Sequence, residues 1–305
     1  MKTENMEYGA CIIGLGAMGM GTALSCVKAG IKTFGVDIVK GNLEKLLTAG
    51  AAEAGDTALP FVESLDAVMI MVVNSAQTRS ILFDGTPSLA DSLKKNTVVL
   101  LSATMSPQES TAIGERLEQC GLLVLDAPMS GGAAKAASGE LTIMASGTDD
   151  AFAKASPLLD AVAAKVYKLG QDLGLGSTVK IIHQLLAGVH IAAAAEAMAM
   201  AAKSGVDLSM MYEVVTNAAG NSWMFENRMR HVLDGDYTPL SKVDIFVKDL
   251  GLVTETGRAL KFPLPLASAA LAMFTNASGA GFGNEDDSAV IKTYNGITLP
   301  EKKLS

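Results

Sequence analysis

The run Ala10-Cys-Ile-Ile-Gly14-Leu15-Gly16-Ala17-Met18-Gly19 constrains this chain more than any other stretch. A short apolar strand (Ala10–Ile13) passes directly into Gly14-x-Gly16-x-x-Gly19. An amphipathic helix from Met20 to Ala29 follows and ends at Gly30, and a second strand (Thr33–Val36) ends in Asp37. That order is the start of a βαβ nucleotide-binding unit. Gly14 can take the tight turn, Gly16 lets a pyrophosphate approach the backbone, and Gly19 allows helix and strand to pack closely. The helix start offers free N–H groups and a partial positive charge to the phosphates. Asp37, 18 residues after Gly19, is placed to accept hydrogen bonds from an adenine-ribose diol, and its charge repels a 2′-phosphate. The expected cofactor is therefore NAD rather than NADP, held by Gly14, Leu15, Gly16, Ala17, Met18, Gly19 and Asp37.

The 305 residues leave room for one large domain or two ordinary ones. A net charge of −8 with no basic stripe makes nucleic acid and anionic membranes unexpected partners. No apolar run is expected to reach the roughly 18 to 20 residues of a membrane-spanning helix. No long apolar segment precedes the first strand, so a secretory signal is not expected. Cys11, Cys26 and Cys120 are odd in number and widely spaced, as in a protein of a reducing compartment, and the expected location is the cytoplasm. His183, His190 and His231 share no ligand spacing, so no metal site is expected.

Residues 1–169 alternate strand and helix. Strand-like runs fall at Ala10–Ile13, Thr33–Val36, Ala67–Val73, Thr97–Leu101, Leu122–Leu125, Leu141–Ala145 and Val166–Leu169. Ser106-Pro107-Gln108-Glu109 places a capping serine, a proline at the first helical position and a glutamate at the third. Repeated βα units predict an α/β fold: a Rossmann-type, doubly wound, mostly parallel sheet with ligands beyond the carboxyl ends of its strands. Residues 170–305 read as an all-helical second domain for substrate and oligomerisation, with helices at Ser177–Lys203, Asp207–Asn217, Met224–Leu233, Ile245–Leu260 and Pro265–Ala277. The first of these is small and apolar almost all round, so it is expected to be buried on every side. Its Ala-rich surface points to a homodimer or homotetramer. Gly279–Gly283 has no strand before it and reads as a terminal turn.

Three further segments carry chemistry. Asp126-Ala-Pro-Met-Ser130-Gly131-Gly132 follows a strand, and its hydroxyl and unshielded amides suit a carboxylate, though alone it reads as a turn. In Gly174-Leu-Gly176-Ser-Thr-Val-Lys180 a glycine turn opens a helix, and the lysine precedes two isoleucines. Burial there would lower its pKa toward that of a usable base. Phe246-Val-Lys248-Asp249-Leu250 sets a second lysine, beside an acid, in an apolar helix.

These segments, in this order after the glycine turn, resemble the β-hydroxyacid dehydrogenase family, which includes 3-hydroxyisobutyrate, tartronate semialdehyde and 6-phosphogluconate dehydrogenases. The resemblance runs from about Tyr8 to Asn295 and extends to Gly279-x-Gly-x-Gly-x-Glu-Asp-Asp-Ser288. It implies an NAD-dependent enzyme acting on a small hydroxy acid. By the same resemblance Lys180 is the general acid/base, Ser130, Gly131 and Gly132 hold the substrate carboxylate, and Lys248 lies near the nicotinamide and substrate. Val73, Asn74 and Thr104 match positions where family members touch the cofactor.

One departure stands out. The family commonly reads Lys-x-x-Asn-Asn or Lys-x-x-His-Asn, and this chain reads Lys180-Ile-Ile-His183-Gln184. His183 and Gln184 are candidate substrate contacts, with a structural role for His183 left open. The run from Lys180 to Glu196 is similar to the branch that oxidises L-threonate at C2, and a polar acid suits two added polar side chains better than an apolar one does. Two rival readings remain. One is an enzyme for 3-hydroxyisobutyrate or tartronate semialdehyde. The other is a non-catalytic member of the kind that binds histones and lacks the lysine.

Overall fold

The computed structural model describes residues 8–302. The chain forms two compact units, Met1–Lys180 and Ile181–Ser305.

Nine strands of the first unit form one sheet: β1 (Gly9–Ile13), β2 (Lys32–Val36), β3 (Glu53–Gly55), β4 (Ala67–Ile70), β5 (Val98–Leu101), β6 (Leu123–Asp126), β7 (Met129–Ser130), β8 (Leu141–Gly147) and β9 (Ala163–Lys168). Their order is β3-β2-β1-β4-β5-β6-β8-β7, with β9 on β8. Every pairing from β3 to β6 is parallel, and β8 then runs antiparallel to β6. The expected doubly wound, mostly parallel sheet is the fold observed, with its switch point between β1 and β4, where the strand order reverses. Helices α1 (Ala17–Lys28), α2 (Lys40–Thr48), α3 (Ser75–Phe83), α4 (Leu89–Ser92), α5 (Pro107–Gln119), α6 (Gly132–Ser138) and α7 (Asp149–Val162) connect the strands.

The central strands are apolar at every position because both faces are covered. Ile12, Met69, Val98 and Leu100 face a core shared with Met20, Ala23 and Phe152. Ile13, Val68, Val99 and Leu101 face the opposite core, with Leu82, Ile113 and Leu117. Alternation along each strand thus assigns successive residues to opposite layers. Truncating any of these leucines to alanine costs about 2–5 kcal/mol in such a setting.

Four local expectations differ from the structure. The strand expected at Ala67–Val73 stops at Ile70, because the chain turns into α3, whose cap Asn74 accepts from the Gln77 N–H. Helix α1 begins at Ala17 rather than Met20, since the carbonyl of Gly16 already accepts from the N–H of Met20. Strands β3 and β7 are too short to show a period. At Ser106 the hydroxyl caps α5 by accepting from the Glu109 N–H, but the Glu109 carboxylate turns to Arg79, 3.2 Å away, rather than back to the cap.

The second unit is helical, with no strand named among its described residues. Helix α8 (Leu175–Lys203) begins in the first unit and continues into this one, followed by α9 (Leu208–Thr216), α10 (Trp223–Asp234), α11 (Val243–Ala259) and α12 (Pro265–Ala277). Phe246 and Phe274 stack with ring centroids 5.2 Å apart at its centre. Gly188 lets α11 lie close to α8: a Cβ there would sit 2.9 Å from both methyls of Leu250. Residues Ser278–Phe282 wind as a π-type turn interrupted at Gly281, whose φ is +96°, where a turn is expected, and a 3₁₀ segment, Asp287–Thr293, follows.

Helix α8 corrects two expectations. It spans 29 residues and is long and apolar enough to cross a membrane by length and composition, although half of its most apolar stretch is buried inside the fold. The polar side chains spaced along it hide that length in the sequence. Nor is it buried all round: Ile182, Leu186 and Met200 are exposed, at 58%, 53% and 72%.

Candidate functional site

The register of the parallel strands gathers the candidate residues of the first unit. Ile13 pairs with Ile70, Ile70 with Leu101, and Leu101 with Asp126, so β1, β4, β5 and β6 end level with one another. The segments that follow these ends hold Gly14 to Gly19, Val73 and Asn74, Thr104, and Ser130 to Gly132. They all leave from the carboxyl edge, where ligands of such sheets bind.

The glycine turn is built from three different requirements. Gly14 has a φ of +92°, a conformation that only glycine adopts at low cost, and its N–H donates to the carbonyl of Val36 at 2.8 Å. A Cβ on Gly19 would lie 1.8 Å from the Gly14 carbonyl oxygen, so α1 and the turn are in contact there. Gly16 is the opposite case. Nothing lies within 4 Å of where its Cβ would be, and no side chain caps α1. The helix start is open to a phosphate group.

Asp37 closes this turn. Its Oδ2 accepts from the N–H of Leu15 at 2.6 Å and its Oδ1 from the N–H of Val39 at 2.8 Å. Carboxylate oxygens each accept more than one bond, so a ribose diol can still be received while the turn is held. The residues therefore fit a dinucleotide with an unphosphorylated ribose.

Val73 is exposed, and its N–H donates to Oε1 of Gln77, while Asn74 caps α3. Thr104 is half-buried between β5 and α5. Ser130 ends β7, and Gly131 and Gly132, with φ of 139° and 73°, lead into α6.

Asp126 makes a contact that the sequence did not reveal. It ends β6 and is 1% exposed. One carboxylate oxygen accepts from the Ser177 N–H and the other from the Ser177 hydroxyl, both at 2.7 Å. Gly176 allows this approach: a Cβ there would fall 2.4 Å from the Asp126 carbonyl oxygen. Asp126 thus satisfies first-turn donors of α8 and fastens the root of the helix that carries Lys180 one turn later. Burial raises the Asp126 pKa above its ordinary value, outweighing the hydrogen bonds from Ser177 that lower it. Lys180 itself is buried.

In the second unit, His183, Gln184 and Lys248 meet around Asp249. His183 Nδ1 lies 3.0 Å from Gln184 Oε1. Gln184 Nε2 donates to Asp249 Oδ2 at 2.5 Å, and Lys248 Nζ lies 2.7 Å from Asp249 Oδ1. Gln184 reaches a buried carboxylate on α11, a partner that the Lys248-Asp249 dipeptide alone did not disclose. Among the described residues no group of three His, Cys, Asp or Glu side chains could hold a metal ion.

Comparison with known proteins bears on both units. Residues 10–170 match the family described as the NAD binding domain of 6-phosphogluconate dehydrogenase. Residues 174–294 match that described as NAD-binding of NADP-dependent 3-hydroxyisobutyrate dehydrogenase. The chain is 64% identical to L-threonate dehydrogenase of Pectobacterium atrosepticum, covering 98% of each, and 60% identical to L-threonate dehydrogenase of Escherichia coli, covering 99% of this chain and 100% of that one. The crystal structure of 3-hydroxyisobutyrate dehydrogenase from Salmonella typhimurium is similar at 58% identity and a TM-score of 0.90, covering 94% of this chain and 100% of that one.

Proposed function

The chain belongs to the β-hydroxyacid dehydrogenase family, and from that premise we propose that it oxidises L-threonate at C2 to the 2-oxo acid, 2-dehydro-L-erythronate. NAD, when bound, supplies the hydride acceptor. The substrate reading rests on relatives named L-threonate dehydrogenase, which are 54% to 64% identical over nearly their full lengths.

In this reading residues 1–169 hold the cofactor and residues 170–305 serve substrate binding and oligomerisation. Gly16, Ala17, Met18 and Gly19 present backbone N–H groups to the pyrophosphate, Gly14 and Leu15 shape the turn through their bonds to Val36 and Asp37, and Asp37 receives the ribose and disfavours NADP. Val73, Asn74, Thr104 and Lys248 make the remaining cofactor contacts. Ser130, Gly131 and Gly132 hold the substrate carboxylate with a hydroxyl and two amides. Lys180 takes the C2 hydroxyl proton as the hydride departs, and its burial keeps water from competing for that proton. His183 and Gln184 meet hydroxyl groups further along the acid. The exposed apolar residues of α8 support a homodimer or homotetramer, which light scattering reads directly, and the buried free thiols Cys11 and Cys26 support a cytoplasmic setting.

A substrate panel tests the reading. L-threonate should give the highest kcat/KM with NAD, above D-glycerate, the tartrates and 3-hydroxyisobutyrate. Lys180→Ala should lose roughly 10²- to 10⁴-fold in turnover while still binding NAD. The Salmonella relative favours a second reading, 3-hydroxyisobutyrate oxidation. If that acid proves the best substrate, the second reading replaces the first.

A further inference from the structure

Lys135 follows Gly131, the cap of α6, by one helical turn, so the two share a face. Side chains on a helix lean toward its N-terminus, which aims this lysine back at the residues leading into α6. The space at Gly131 shows the path it takes. A Cβ on Gly131 would lie 2.9 Å from the Lys135 Cβ, 3.1 Å from its Cδ and 3.3 Å from a methyl of the buried Leu141. The stem therefore folds along Gly131 and beside Leu141 instead of running straight out to solvent. The ammonium lies one methylene beyond that Cδ and the residue is exposed, so the charge stands at the rim of the Ser130–Gly132 turn.

The groups nearby in the chain are committed elsewhere. Lys28 Nζ donates to the Ala137 carbonyl at the far end of α6, and the Glu140 carboxylate accepts from the Ser138 hydroxyl. Among the described residues no acid forms an ion pair with Lys135. At Gly132 nothing lies within 4 Å of where a Cβ would be, so a ligand can come up to the backbone. A hydroxyl and two amides solvate a carboxylate without neutralising it. A chain of net charge −8 has no broad positive field to draw an anion in, so a local cation matters more.

We propose that Lys135 binds substrate: its ammonium pairs with the substrate carboxylate at the Ser130–Gly132 turn and selects acids over their uncharged derivatives. This role rests on the carboxylate seat proposed above, not on which acid fills it. The carboxylate keeps its charge throughout the reaction. The pairing is therefore equally strong in the bound substrate and the transition state, and it shows in KM while leaving kcat alone.

Two variants isolate the charge. Lys135→Met keeps an apolar stem over Gly131 and removes the ammonium, and Lys135→Arg keeps a cation. With the acid that turns over best, Lys135→Met should raise KM roughly 10-fold at low salt, with kcat and the melting temperature near wild type. Lys135→Arg should restore most of that affinity. Added salt should lower kcat/KM of the wild type more steeply than that of Lys135→Met, because screening acts on a pairing only the wild type makes. The carboxamide of the same acid, read as a competitive inhibitor, should bind both proteins alike. A lysine that merely covers Gly131 would leave the preference for acid over amide, and the salt dependence, the same in both proteins. That result overturns the role.

Ser130→Ala tells the failure of this role from the failure of the seat. If Ser130→Ala raises KM for the acid and Lys135→Met does not, the seat stands and the role of Lys135 is overturned. If neither variant changes KM, the seat is misplaced and the role falls with it. Should L-threonate not be oxidised, the same comparison on the acid that is oxidised still decides the part played by Lys135.

Discussion

Asp126 and Ser177 are joined twice, through the backbone N–H and the hydroxyl of the serine, at 2.7 Å each. The residues lie 51 positions apart in sequence, and the contact ties the end of a strand to the first turn of the lysine-bearing helix. Asp126→Ala leaves two donors without an acceptor, at a cost of about 1–3 kcal/mol each. Urea unfolding should show a loss of that order, and kcat should fall more than KM rises because the lysine is displaced. Ser177→Ala removes one of the two bonds and should fall between. Full turnover in Asp126→Ala would show that the helix root is held by something else.

Gly16 and Gly19 should separate binding from folding. Gly16→Ala adds a methyl that touches no protein atom, so its melting temperature should match the wild type while KM for NAD rises at least several-fold. Gly19→Ala drives a methyl into the Gly14 carbonyl and should not yield folded protein. An unchanged KM in Gly16→Ala would mean the phosphates lie elsewhere.

Asp37 has two duties, and its variants should divide them. Asp37→Asn keeps an oxygen for the Leu15 N–H, gives up only the exposed bond from the Val39 N–H, and loses the charge, so the preference for NAD over NADP should shrink with little loss of stability. Asp37→Ala also abandons the Leu15 N–H and should lose roughly 10- to 100-fold in kcat/KM with NAD, the size of a charge-assisted hydrogen bond. Equal wild-type efficiency with both cofactors would remove the basis for NAD preference.

The buried pair Arg228 and Asp287 makes stability depend on pH. Burial, aided by the neighbouring charge of Asp286 and opposed by Arg228, pushes the Asp287 carboxyl from 3.8 up to about 7. The folded state then binds the proton more tightly than the unfolded chain. The stabilising contribution is full below 3.8 and is lost as pH rises through about 7. The melting temperature should fall across that window, and Asp287→Asn, uncharged throughout, should flatten the fall. Parallel curves for the two proteins would assign the pH dependence to other groups.

Much of this was legible in the sequence, for identifiable reasons. Strands covered on both faces are unbroken apolar runs such as Val98–Leu101, and Gly14, Gly16, Gly19 and Asp37 carry their chemistry at fixed local spacing. Helices α9 to α12 lie within two residues of the spans expected for them, Asp207–Asn217, Met224–Leu233, Ile245–Leu260 and Pro265–Ala277. Local reasoning failed where a short segment is completed by a distant one. Strand β7 exists only because Met129 and Ser130 meet Ile143 and Thr142 of β8. Asp126 and Asp249 read as loop acid and lysine neighbour because their partners, Ser177 and Gln184, stand 51 and 65 residues away.

The notch at Gly188 acts as a ruler for chemistry one turn away. Leu250 seats its methyls where a side chain at 188 would be, and the next residue back is Asp249, whose 2.5 Å reach to Gln184 is gauged by that seating. A single methyl at 188 should push α11 outward, at a cost of about 1–3 kcal/mol in overpacking. The same displacement stretches the bond between the Gln184 amide and the Asp249 carboxylate, so an apolar change on one helix would be read out in the polar contact that joins it to the next.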